Sequence, residues 1–197
     1  FWGMDERTVQ HVRRMGDLLL FYDYRDISGE DAPEVEGYES VRVVAWSMGV
    51  WAASVLLSRW NIPVSCRVAI NGTERPVDAH YGIHPKRYLL TARGMTAQGR
   101  DKFFARMLSG KEEMERFEEN RPCRAIDEQR DELRLIREQS AREMPEMHWD
   151  RVYVSEEDVI FPVENQRNWW GNRVEIITLP GGHYPFYVLD NWEKIWK

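Results

Sequence analysis

The chain has 197 residues, 43% hydrophobic and 12% aromatic, which is enough for one packed core and short for two independent domains. With 33 acidic against 27 basic side chains its net charge is −6, an argument against a nucleic-acid binder, which normally presents a basic footprint. The apolar runs are too short to span a bilayer and no signal-peptide pattern opens the sequence. Two cysteines, Cys66 and Cys123, match neither a zinc spacing nor a disulfide framework, so a reduced, cytoplasmic setting is expected.

In chain order, the first residues are Phe1-Trp2-Gly3-Met4-Asp5, without a methionine and abrupt enough that a preceding segment is expected. Leu18–Tyr22 is an apolar run with polar flanks and predicts a buried strand. Val41–Trp46 predicts a second strand, Met48–Trp60 an apolar helix ended by Asn61-Ile62-Pro63, and Cys66–Ile70 a third strand closed by the turn former Asn71-Gly72. This alternation predicts an α/β fold, a mostly parallel sheet covered on both faces. From Ala97 to Met144 the chain is dense in Glu, Arg, Lys and Gln, with Gly110 and Arg121-Pro122 as punctuation, and two to four helices are expected. They read as a helical cap over 97–145, inserted into a core formed by 1–96 and 146–197, the alternative being ordinary crossover helices with a solvated face. Strands return at Arg151–Val154 and Val174–Leu179, and Tyr184–Trp196 predicts a packed helix.

Ala45-Trp46-Ser47-Met48-Gly49 lies between a β-branched run and an apolar helical run, the setting of a strand-to-helix nucleophile elbow of the α/β-hydrolase kind. Ser47 is the candidate nucleophile, the alternative being an ordinary helix N-cap. The Met48 amide, at the helix start, is the first candidate oxyanion donor. A serine needs a base, and among five histidines His183 stands out. It follows the last strand in Pro180-Gly181-Gly182-His183, at the sheet edge where sites in open α/β sheets gather. His80 and His84 are weaker competitors, and His11 and His148 have no strand-end context. The acid that orients the base should lie between nucleophile and histidine in sequence. Asp158 fits, in the loop after Val152–Val154, with Asp78 as the alternative and Asp150 at the wrong end of its strand. A second oxyanion donor is expected from a loop near the N-terminus, where the Trp2 amide is the candidate. Acyl transfer through such a site needs no metal and no organic cofactor.

With these residues in place, the chain resembles the small BioG-type family of pimeloyl-[acyl-carrier protein] methyl ester esterases nearly end to end. The resemblance is carried by Trp2-Gly3-Met4-Asp5, Phe21-Tyr22-Asp23-Tyr24, Val44-Ala45-Trp46-Ser47-Met48-Gly49-Val50-Trp51, Ala69-Ile70-Asn71-Gly72-Thr73 with Pro76, and Pro180-Gly181-Gly182-His183. It implies Ser47 as nucleophile, His183 as base, Asp158 in an Asp-x-x-x-Pro pattern with Pro162, and Trp2 in an oxyanion loop resembling Gly-Trp-Gly. It also implies acyl-carrier protein as the partner that bears the substrate; an acidic carrier would be met by Arg106, Arg116, Arg121, Arg124, Arg130, Arg134 and Arg137 of the helical middle, the alternative for these being a salt-bridged solvated surface. Phe1 stands where that pattern has a glycine, and a strand is expected before it; without one, weak stability and activity are expected. Two alternatives stay open: a general carboxylesterase or thioesterase on small acyl esters, and a non-catalytic hydrolase-fold protein that binds a partner through the helical middle.

Overall fold

A computed structural model describes residues 2–197. Four parallel strands, β1 (Val41–Trp46), β2 (Val64–Ile70), β3 (Arg151–Ser155) and β4 (Ile176–Leu179), lie side by side in sequence order. Parallel neighbours need crossovers. These are α1 (Gly49–Arg59) between β1 and β2, and α6 (Val163–Trp170) between β3 and β4. Between β2 and β3 run four helices, α2 (Pro85–Arg93), α3 (Ala97–Met107), α4 (Lys111–Phe117) and α5 (Ile126–Ser140). The short α7 (Trp192–Ile195) closes the chain.

Successive strand residues face opposite sides of a sheet, and the core divides accordingly. Ala45, Ala69, Val152, Val154 and Ile176 pack with Val50 of α1 and with Trp169 and Trp170 of α6. Trp46, Val68, Ile70, Tyr153 and Ile177 belong to a second cluster with Met4, Phe186, Leu189 and Ile195. Both faces are covered, as the alternation of elements predicts. Burial deepens along β1, β2 and β3 towards their carboxyl ends, so the loops that leave those ends start inside the molecule.

The helices between β2 and β3 have local causes. Pro85 opens α2, and the His84 ring nitrogen accepts the Lys86 N–H there; Thr96 caps α3 through the Gly99 N–H. In α5, Gln129, Glu132, Leu133, Ile136 and Ser140 form a buried stripe at helical spacing. The Tyr88 hydroxyl donates to the Leu133 carbonyl and ties α2 to α5. Among the described residues no helix is long and apolar enough to cross a membrane.

Five stretches depart from the sequence reading. Leu18–Tyr22 is no strand: its burial alternates as a strand's would, but its neighbourhood is satisfied by side chains. The Tyr22 carbonyl accepts from Arg124, and the Tyr24 N–H donates to Glu132. The expected helix over Tyr184–Trp196 shrinks to α7, because the amides of Val188 and Leu189 turn back onto the Pro185 carbonyl. The last strand starts at Ile176 because Arg173 and Val174 donate to the Trp170 carbonyl and close α6. Finally, α2 and α6 were not anticipated; both are short and open at a proline.

Candidate active site

Ser47 follows β1 directly and takes a left-handed backbone, φ 59°. A non-glycine residue there costs about 1–3 kcal/mol, which the surroundings must hold in place. They do so from two sides. The Ser47 N–H extends the sheet ladder to the Ile70 carbonyl at 2.8 Å, and the Ser47 carbonyl accepts the Val50 N–H in the first turn of α1. Gly72 closes the turn from the β2 side: a Cβ there would stand 2.2 Å from the Ser47 carbonyl oxygen and 2.8 Å from its Cα. Gly72 answers a demand for space.

The hydroxyl of Ser47 lies 2.9 Å from His183 Nε2, and His183 Nδ1 lies 2.8 Å from Asp158 Oδ2. A carboxylate only accepts, so Nδ1 carries the proton and Nε2 is left to accept from the hydroxyl. Relative exposures of Ser47, His183 and Asp158 are 2%, 0% and 4%. The relay is out of water, where its hydrogen bonds are strongest.

Each member is braced. The His183 main-chain carbonyl accepts the Trp46 indole N–H at 2.9 Å and the Asn71 side-chain amide at 3.0 Å. Asn71, itself left-handed at φ 47°, also exchanges two hydrogen bonds with Ser155 at the end of β3. One amide thus ties the ends of β2 and β3 to the histidine loop. Asp158 accepts the N–H groups of Ile160 and Phe161 on Oδ1, both at 2.9 Å, while Oδ2 takes the Gln166 side-chain N–H at 3.1 Å beside His183. Gln166 is fully buried on α6. Sequence reading singled out neither Asn71 nor Gln166 as a site residue. From the residues Asn71 reads as a turn former within a block shared with the resembled family, and nothing in the spacing of Gln166 points at Asp158.

Trp2 and Met48, the two candidate oxyanion residues, line one small cavity of about 20 Å³ with Ile83, Tyr88, Phe103 and Ile160, and with Arg87 and Arg106 among its lining. The Trp2–Gly3 corner is held by α5. The Trp2 indole donates to the Gln129 carbonyl at 2.8 Å, and the Gly3 N–H points at Glu132 Oε2 at 3.3 Å. Burial pushes the Glu132 carboxyl up, against the opposing pull of Arg124 and of the Tyr24 and Gly3 amides. Phe1, expected to mark a departure from the glycine pattern, lies outside the described residues.

The competing candidates sit elsewhere. Asp78 accepts the amides of His80 and Tyr81 within its own turn. His80 is exposed and His84 caps α2. Asp150 holds the Arg67 amide and pairs with His148 before β3, and His11 reaches the Phe186 carbonyl. The arginines of the helical middle are largely engaged locally. Arg130 pairs with Asp127, Arg134 with Asp131 and Glu138, and Arg121 with Glu118 and Asp101. Arg124 is buried against Glu132, and Arg116 stacks on the Tyr187 ring.

The family model for pimeloyl-ACP methyl esterase BioG matches residues 1–195. The crystal structure of BioG from Haemophilus influenzae superposes with a TM-score of 0.91 at 32% identity, over 100% of this chain and 91% of that one. A malonyl-[acyl-carrier protein] O-methyltransferase of Bacteroides fragilis is 37% identical over 191 residues, 95% of this chain. The chain spans only 39% of the length of that relative. At 15% identity and a TM-score of 0.52, an α/β-hydrolase enzyme from a Medee basin deep-sea metagenome library covers 78% of this chain and 62% of its own, a likeness of fold.

Proposed function

The chain belongs to the pimeloyl-ACP methyl esterase BioG family, and from that premise we propose that it hydrolyses the methyl ester of a pimeloyl chain carried on acyl-carrier protein, freeing the carboxylate for biotin synthesis. Ser47 is the nucleophile, His183 the general base and Asp158 the acid that orients it. The observation behind this is the unbroken buried relay from Ser47 through His183 to Asp158.

In the first half-reaction the Ser47 oxygen bonds to the ester carbonyl carbon while its proton passes to His183 Nε2. Asp158 stabilises the imidazolium that forms. The carbonyl oxygen becomes an oxyanion facing the amides of Met48 and Trp2, each worth about 3 kcal/mol of transition-state stabilisation. The C–O bond to the methoxy group breaks, and methanol leaves with the proton from Nε2. Water, deprotonated by the same nitrogen, then attacks the acyl-serine carbonyl; the bond to the Ser47 oxygen breaks, His183 Nε2 returns the proton to that oxygen, and the acid leaves.

Ligand pockets usually enclose about 300–1,000 Å³, far more than the cavity between Trp2 and Met48. Entry of the acyl chain therefore moves α3 away from α2 and the core; residues 97–145 act as the cap in this reading. Arg87 and Arg106 border that cavity and suit the acidic carrier better than the internally paired arginines of α5. A methyl ester on a carrier-bound acyl chain is the product class of the O-methyltransferase named for the Bacteroides relative, so such an enzyme would supply the bond broken here. Cys66 and Cys123 are free thiols, in keeping with a cytoplasmic setting.

The test compares hydrolysis of carrier-bound pimeloyl methyl ester with that of a free small ester, in the wild type and in Ser47→Ala. Carrier-bound substrate should be preferred by at least about tenfold in kcat/KM, and Ser47→Ala should abolish turnover and fluorophosphonate labelling. Equal efficiency on both substrates would remove the carrier from the proposal, and labelling that survives in Ser47→Ala would remove the mechanism.

A further inference from the structure

Glu132 lies near the middle of α5 and is completely buried. An ionised carboxylate in that position is costly unless donors surround it, and a leucine would suit the helix as well. Three donors converge on it: the Arg124 guanidinium at 2.7 Å, the Tyr24 N–H at 2.7 Å and the Gly3 N–H at 3.3 Å. Arg124 is itself fixed by the Tyr22 carbonyl and lies 3.4 Å from Asp23. The corner that Glu132 holds is tight. Gly3 has φ +73°, and a Cβ there would meet the Gln129 side-chain oxygen at 3.2 Å. One turn of α5 therefore grips residues 2 and 3 through the indole and one amide, and Tyr24 through another amide, while Arg124, just before α5, holds Tyr22 and faces Asp23.

We propose that Glu132 is a positioning residue for the oxyanion hole: by accepting the Gly3 N–H it fixes the Trp2–Gly3 peptide and, with the indole bond to Gln129, the Trp2 Cα from which the Trp2 N–H meets the developing oxyanion. The inference rests on the reading of the Trp2 amide as an oxyanion donor. It makes the helical middle part of the catalytic geometry as well as a cover over the acyl chain. A carboxylate that served stability alone would affect how much protein folds; one that aims a donor affects each folded molecule's turnover.

The test uses p-nitrophenyl butyrate, which requires the relay and the oxyanion hole but no carrier. Glu132→Gln leaves a single acceptor oxygen for three donors. Complete loss of an oxyanion donor costs about 10²–10³ in kcat, so displacing one should lower kcat per folded molecule at least about tenfold with KM within about twofold. Affinity for a trifluoromethyl ketone, whose hydrate-like adduct places an oxyanion in the hole, should fall by the same factor. If Glu132→Gln does not fold, Glu132→Asp is read instead: it keeps the charge for Arg124, draws the oxygens back from Gly3, and should show the same kcat-only loss. A folded variant with unchanged kcat, or with the loss in KM alone, overturns the proposal. A semisynthetic chain with an ester oxygen in place of the Trp2 N–H separates the two layers. If that ester lowers kcat while the Glu132 variants do not, only the role of Glu132 fails; if the ester is silent, the oxyanion reading fails and takes this inference with it.

Discussion

Gly72→Ala should disable the site from the far side of the elbow, without touching any group that handles a proton. The added Cβ would stand 2.2, 2.7 and 2.8 Å from the carbonyl oxygen, carbonyl carbon and Cα of Ser47, all backbone atoms that no rotamer change can move. Reaching even the 3.0 Å floor of real Cβ contacts requires a retreat of at least 0.8 Å at the carbonyl oxygen. Catalytic geometry tolerates about 0.5 Å, and the Ser47–His183 hydrogen bond of 2.9 Å has little length to spare. A misplacement near 1 Å can cost about 10²-fold, so kcat/KM should fall at least about 100-fold, roughly 2.7 kcal/mol of transition-state stabilisation. Overpacking of this kind takes about 1–3 kcal/mol from the fold, so a thermal melt must accompany the kinetics. The assay is hydrolysis of a p-nitrophenyl ester with the rate of fluorophosphonate labelling, and Gly16→Ala, where nothing lies within 4 Å, is the control. A folded Gly72→Ala protein working within threefold of wild type would refute the reasoning, because the crowding at Ser47 would then be relieved without cost.

The two candidate acids separate cleanly. Asp158→Asn should lower kcat by about 10³–10⁴ through the wrong imidazole tautomer, while Asp78→Ala, which loses only two turn hydrogen bonds, should stay within about threefold; the reverse pattern in steady-state kinetics would exchange the assignments. His11 gives a test by pH. Burial lowers its pKa from 6.5, with the nearby Arg116 adding to the effect and the Phe186 carbonyl opposing it. The neutral ring is thus favoured in the folded state, so its contribution is complete above pH 6.5 and is lost as pH falls through the lowered folded value. His11→Gln should flatten the acid limb of Tm against pH, and an unchanged slope would show that the loss comes from other groups.

Most of what the strands and the relay require could be read along the chain. Val41–Trp46 and Cys66–Ile70 announce themselves by β-branched content, and the small residues about Ser47 mark a turn that needs them. His183 and Asp158 were reachable because each follows a strand closely, and a parallel sheet sends such loops to one edge. The supports were not reachable in that way. Gln166 finds Asp158 across a loop of no fixed spacing, and Glu132 finds Gly3 from 129 residues away. Leu18–Tyr22 misled for a related reason: its alternation is real, yet its neighbourhood is satisfied by Arg124 and Glu132, whose proximity only the assembled fold reveals.

The bonds from Trp2 to Gln129 and from Gly3 to Glu132 span 127 and 129 residues. At about 5–20 residues per second on the ribosome, roughly 6–25 s separate the synthesis of that corner from the arrival of the helix that receives it. Until then the Trp2 indole and its amides wait in water, and His183 emerges later still. A nascent chain therefore carries Ser47 long before it carries the imidazole that reaches it, so the hydroxyl stands without its relay until the last strand has been made.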